Sequence, residues 1–161
     1  MNSDEVTDDN ALLTTIEQQK HTQLKADVRY DGTEWVHSVI TPDDVFVDME
    51  PKTTIQDDGK AAVIYKHGTM TLKDSEDADP NNVADYSLIG QLLLRTYPAG
   101  EGWSEPVTIM ELTDNQAVNK YDLLMRNDTV LVGTTYYDTA DSLRMVYASV
   151  PLATRTVSYT D

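Results

Sequence analysis

Ala61-Ala62-Val63-Ile64-Tyr65 is the run whose reading decides the fold, because the chain repeats it. Ala11-Leu12-Leu13-Thr14-Thr15 precedes it and Val130-Leu131-Val132-Gly133-Thr134 follows it. Each is short, apolar and rich in residues that suit a pleated surface. A second run follows each one: Leu24–Tyr30, Gln91–Tyr97 and Leu143–Ser149. A third follows those: Glu34–Ile40, Gly102–Ile109 and Ala153–Tyr159. Asp31-Gly32, Asp58-Gly59 and Asn127-Asp128 supply turn residues between β-rich runs. Strand, turn, strand is therefore the grammar from Asn10 onward.

Two further strand-like runs precede the second and third units, Val45–Met49 and Val118–Arg126. The first unit has no equivalent, since residues 1–9 are acidic and polar and read as a loose lead-in. The sum is eleven strands, three from the first unit and four from each of the others. Ile16-Glu17-Gln18-Gln19-Lys20 is compatible with a helical turn, but the aligned repeats overrule it. A repeat of roughly 50 residues built from short strands is the mark of a β-propeller blade. The expectation is an all-β chain, a partial β-propeller of about three four-stranded antiparallel blades with the first incomplete. The units are 10–41, 45–110 and 117–160 within a repeat region of 10–161. An insertion at about 69–87 joins the middle strands of the second unit and reads as a surface loop. Three wedges leave two apolar faces bare, which soluble proteins avoid. The remaining blades are expected from a longer chain or from a second copy in a homo-oligomer.

The 161 residues carry a net charge of −16 and no cysteine. The charge argues against nucleic acid and anionic membranes, which need a basic footprint. The lack of cysteine excludes disulfides, thiolate metal sites and cysteine nucleophiles. No apolar run is long enough to span a bilayer as a helix, and Met1–Val6 does not have the pattern of a signal peptide.

Leu93–Val107 ends in Gly102-Trp103-Ser104-Glu105-Pro106-Val107, and Tyr30–Val36 is a shortened version of it. This strand, glycine turn and "W-S-x-P-V" ending resembles the outer strands of sialidase-like and bacterial-repeat propellers. The resemblance implies a secreted or cell-surface protein that binds glycan or protein. It also raises an alternative, a fragment of a sialidase-like glycoside hydrolase. Departures from the family pattern are clear. Its Ser-x-Asp-x-Gly-x-Thr-Trp box is mis-spaced at Asp31, Gly32 and Trp35, absent around Trp103, and without tryptophan in the third unit. Such hydrolases clamp a carboxylate with three arginines. Of the five arginines here, Arg29, Arg95 and Arg144 fall in the second runs, which is repeat structure; Arg126 and Arg155 are the others. No catalytic residue carries over.

Trp35 and Trp103 are the candidate ligand-binding residues, since an exposed indole stacks on a sugar ring; the competing role is packing between blades. Asp77, Asp79, Asn81 and Asp85 are the candidate metal ligands. They set oxygens at alternate positions, as calcium loops do. Asn82 stands where such a loop wants glycine and Leu88 where it wants glutamate, so a solvated acidic loop is the simpler reading. No cofactor is otherwise expected. Glu17, Asp48, Tyr121 and Asp122 fall on or near the inner runs, where paired carboxylates serve glycoside hydrolysis but a polar lining is also ordinary. His21, His37 and His67 show no metal spacing.

Overall fold

The computed structural model describes residues 24–30, 35–99, 102–113, 117–139 and 141–160. Ten strands run through them in three antiparallel sheets. The first sheet is a hairpin of β1 (Lys25–Tyr30) and β2 (Trp35–Val39). The second is formed by β3 (Val47–Ile55), β4 (Ala61–Leu72), β5 (Tyr86–Tyr97) and β6 (Val107–Leu112). The third is formed by β7 (Ala117–Arg126), β8 (Thr129–Thr139), β9 (Ser142–Pro151) and β10 (Ser158–Thr160). Both four-stranded sheets pair their strands in chain order, each a simple meander. The all-β reading and its two four-stranded units are what the chain adopts.

Several details differ from the sequence reading. The run Ala11–Thr15, the helical alternative at 16–20 and the lead-in lie outside the described residues. Only 73–85 of the insertion is loop, ending in a 3-10 turn at Val83–Asp85. The strands β4 and β5 extend into the remainder, because alternating Thr69, Met70, Thr71 and Leu72 pair with Ile89, Leu88, Ser87 and Tyr86. In the third runs the strands begin late, at Val107 and Ser158, because the preceding residues form turns and extended connections. The second-run alignment is one residue out. Ile64 pairs with Leu94 and Gly133 with Tyr147, so Gln91–Tyr97 matches Arg144–Val150.

Alternation along the strands explains the stacking. In β4 and β5, Ala62, Ile64, Leu92 and Leu94 point to one face, and Val63, Tyr65 and Leu93 to the other. The first face packs with Ile109 and Leu112 against Tyr121, Leu123, Met125, Val130, Val132, Ala148 and Val150 of the third sheet. The second face packs with Trp103 against Leu24 and Ile40, at the base of the first hairpin. The second sheet is therefore buried on both faces, which is why residues 61–65 read as one apolar run. Leu24 is held there by its N–H on Thr41 Oγ1 at 2.9 Å and its carbonyl accepting from Ile40 N at 2.9 Å.

Polar ties hold the second and third sheets in one register. Met125 N donates to Thr54 Oγ1 at 3.2 Å, and Tyr159 Oη to the Ile109 carbonyl at 2.8 Å. At the turns, Gln56 exchanges two hydrogen bonds with Asp128: its Nε2 donates to Oδ1 at 2.9 Å, and the Asp128 N–H donates to its Oε1 at 3.0 Å. Lys60 Nζ reaches Asp128 at 3.0 Å and Asp58 at 2.9 Å. Asn127 (φ 50°) and Asp128 (φ 56°) make the two-residue left-handed turn that suits a tight hairpin.

Candidate functional site

A groove of about 670 Å³ runs where β3 meets β7 and continues across the third sheet. Its walls are Glu50, Pro51 and Lys52 from β3, Asn119 to Asp122 from β7, Gly133 to Thr135 from β8, and Met145 and Tyr147 from β9. A shallower neighbour of about 440 Å³ shares Asp122, Gly133 and Tyr147 and adds Leu124, Leu131 and Ser149.

The β3 wall owes its shape to a bulge. The β3–β4 register shifts between Met49 and Lys52, and Glu50 takes a left-handed φ of 52°. Proline at position 51 suits an edge-strand bulge, since it has no N–H to pair. The Glu50 carbonyl accepts a hydrogen bond from the buried Tyr121 hydroxyl, and its carboxylate pairs with Lys66 Nζ at 2.6 Å. Lys66 Nζ lies 5.9 Å from the centre of the Tyr121 ring, within cation–π range. Burial, followed by the nearby Glu50 charge, pushes the Tyr121 phenol well above its ordinary range. A phenol so held keeps its proton, which is the reverse of what an activated tyrosine nucleophile needs.

On the third sheet, Tyr121, Leu123 and Met125 point inward, so Asp122, Leu124 and Arg126 point outward. The same alternation turns Leu131, Gly133, Thr135 and Tyr137 outward on β8 and Leu143, Met145, Tyr147 and Ser149 outward on β9. Leu124, Leu131, Tyr137, Leu143, Met145 and Tyr147 are between 38% and 58% exposed. They are six of the eleven large hydrophobics exposed among the described residues, gathered on one face.

The sequence-predicted residues scatter. Trp103 is half-buried, with its ring 5.4 Å from that of Tyr97 and against the Leu24–Leu93 cluster, the packing position. Its indole N–H is buried with no hydrogen-bond partner among the described residues. Trp35 lies on β2 opposite Tyr30, and its side chain, like those of His37 and Arg29, is outside the described set. In the 73–85 loop, Asp79 Oδ1 accepts from Asn81 N at 2.9 Å and Asp85 Oδ2 from Asp79 N at 3.2 Å. Asp77 N–H turns to Ser75 Oγ at 3.4 Å. The Asp79 and Asp85 carboxylates are engaged in local turns, and no group of three or more metal-ligating side chains occurs among the described residues.

Asp48 is fully buried, with Oδ1 2.7 Å from His67 Nδ1 and Oδ2 without a partner among the described residues. Phe46 packs on the imidazole, ring centres 4.8 Å apart. That pair faces the first-hairpin side of the second sheet and does not line the groove. Of the arginines, Arg95 donates to Tyr65 Oη at 2.9 Å and to the Ser104 carbonyl at 3.1 Å. It is a structural clamp. Only Tyr121 and Asp122 of the predicted inner-strand residues reach the groove; Glu17 and His21 lie outside the described residues. Sequence reasoning missed Glu50, Lys52, Lys66 and Tyr147. Pro51 inside a β-rich run was the signal for the bulge that brings the first two in.

Comparison with known proteins gives no match to any family model, curated protein or solved structure.

Proposed function

We propose that this chain is a non-catalytic segment of a β-propeller-type repeat and that it binds a protein partner through the groove and the outer face of the third sheet. The stacking supports the repeat reading: two consecutive meanders lie face to face, with first strands β3 and β7 adjacent along one edge. The observation that carries the binding reading is the gathering of six exposed large hydrophobics on a single sheet face. Scattered apolar residues are ordinary, whereas a contiguous rimmed patch marks an interaction surface. The sialidase-like resemblance supports a setting outside the cell or at its surface, within a larger exported protein.

A glycan is the second reading. Tyr147 offers a half-exposed ring beside Asp122, Asn119 and Lys52, the combination of aromatic platform and polar groups a sugar uses. The hydrolase reading finds less support. Glu50 is already paired with Lys66, Tyr121 holds its proton, and Arg95 is engaged in the packing.

The test is a fluorescent apolar dye that lights up on exposed hydrophobic surface, used at protein concentrations too low for self-association. The native chain is expected to bind it, and Leu131→Lys with Tyr147→Lys to abolish binding at an unchanged melting temperature. Unchanged dye binding in that variant removes the reading. Loss of binding to a glycan array on Tyr147→Ala, with dye binding retained, moves the assignment to the sugar.

A further inference from the structure

The outer face of the third sheet stands in the same register as the face by which the second sheet is buried. The runs Ala61–Tyr65 and Val130–Thr134 align, and their partners on β5 and β9 follow from the ladders. Ala62, Ile64, Leu92 and Leu94 then correspond to Leu131, Gly133, Met145 and Tyr147. In the second sheet all four are completely buried beneath the third sheet. In the third, Leu131, Met145 and Tyr147 are 47%, 54% and 51% exposed. A face that the repeat elsewhere closes with another four-stranded sheet is open here.

We propose that this face is a dimer interface, closed by the same face of a second copy of this chain. The proposal rests on the protein-binding reading and names the partner. A twofold axis lying between the two sheets and running across their strands sets β7 over β7 of the partner in the opposite sense. Leu124 then meets its own counterpart at the centre, and Asp122 of each copy faces Arg126 of the other. The three residues alternate outward on β7, two apart, so one axis satisfies both ion pairs. Both charged side chains are exposed. Among the described residues Arg126 has no ion pair, and the Asp122 carboxylate accepts a hydrogen bond only from the N–H of Leu123, at 2.8 Å. An apolar centre flanked by opposite charges is self-complementary, as a contact of a surface with itself requires. The second and third sheets are joined by unlike faces of the repeat, whereas this contact joins like faces, which a twofold axis requires.

The whole chain, in sedimentation over a wide concentration range at physiological salt, is expected to pass from monomer to dimer. Leu131→Lys is expected to leave a monomer. Asp122→Arg sets like charges opposite each other and is expected to weaken the dimer at least about tenfold. Adding Arg126→Asp to Asp122→Arg restores opposite charges across the axis and is expected to return the dimer to near its original strength. These positions are exposed, so circular dichroism at concentrations where the native chain is monomeric should report native melting for all three variants. A monomer at every concentration overturns the dimer. So does a dimer indifferent to Leu131→Lys, or a double exchange that fails to restore what the single one lost, since a head-to-tail contact or another occupant gives that result. A native chain that stays monomeric yet binds the apolar dye loses the dimer and keeps the binding surface.

Discussion

Gly68 and Gly90 sit directly opposite each other in β4 and β5, and the two backbones approach closely there. A Cβ on Gly68 would lie 2.1 Å from the Ile89 carbonyl oxygen, and one on Gly90 2.0 Å from that of His67. Both obstacles are main chain, so no rotamer change relieves them. Gly68→Ala and Gly90→Ala are each expected to cost about 3 kcal/mol in denaturant unfolding, as overpacking a tight site does. Gly59 is the control. It has a left-handed φ of 85° and nothing within 4 Å of a built Cβ, so alanine there costs only conformational strain, about 1 kcal/mol. Equal losses at positions 59, 68 and 90 would show that contact is not what selects glycine in the β4–β5 ladder. Nothing in the sequence distinguishes these glycines, because the crowding is created by the partner strand.

The turns between strands carry the clearest pH dependence. Asp58 titrates below the ordinary 3.8, chiefly because Lys60 hydrogen-bonds its carboxylate. Asp128 is lowered chiefly by the Gln56 amide and next by Lys60. A lowered folded-state pKa means that the contribution is present above the ordinary carboxylate range and fades as pH falls through the lowered values. Lys60 is raised above 10.5, first by Asp58 and then by Asp128. Its share is present below 10.5 and is lost as pH climbs past the raised value. Both aspartates are exposed and Lys60 is only partly covered, so the effect belongs to turn order more than to global stability. In carboxyl-resolved NMR titrations both aspartates are expected to show midpoints below 3.8, returning toward it in Lys60→Met. Midpoints unmoved by that substitution would dissolve the link between the β3–β4 and β7–β8 turns. At this scale the sequence was largely legible. Apolar runs and turn residues located most strands, since both faces of the second sheet are buried and its strands read as solid apolar stretches. The one-residue slip in β9 was not legible, because Leu143–Ser149 is apolar on both faces and alternation alone does not fix its register. The groove was also hidden, for it is made by a bulge at Pro51 and by two sheets meeting.

For the molecule as a whole, a long-range repulsion and a contact attraction act in opposition. The net charge of −16 makes the folded chain repel itself and repel a second copy, while the open face of the third sheet favours association. Salt weakens the repulsion within one copy and between copies through one mechanism, since the screening length falls from about 30 Å at 0.01 M to about 3 Å at 1 M. Raising salt over that range is expected to raise the melting temperature of the monomeric Leu131→Lys variant by several degrees, at about 2–4 °C per kcal/mol for a chain of this size. That gain isolates relief of intramolecular repulsion. The native chain is expected to gain more, because screening the repulsion between two copies of charge −16 outweighs its weakening of the two Asp122–Arg126 pairs, and a dimer stabilises the fold by mass action. The excess should grow with protein concentration in the native chain and be absent in the variant. A variant whose melting temperature falls with salt would show that its acidic surface is held by favourable local pairs of the Lys60–Asp128 kind. An equal gain in both proteins at every concentration would leave self-repulsion intact and remove the dimer, because a folding equilibrium without association has no concentration dependence.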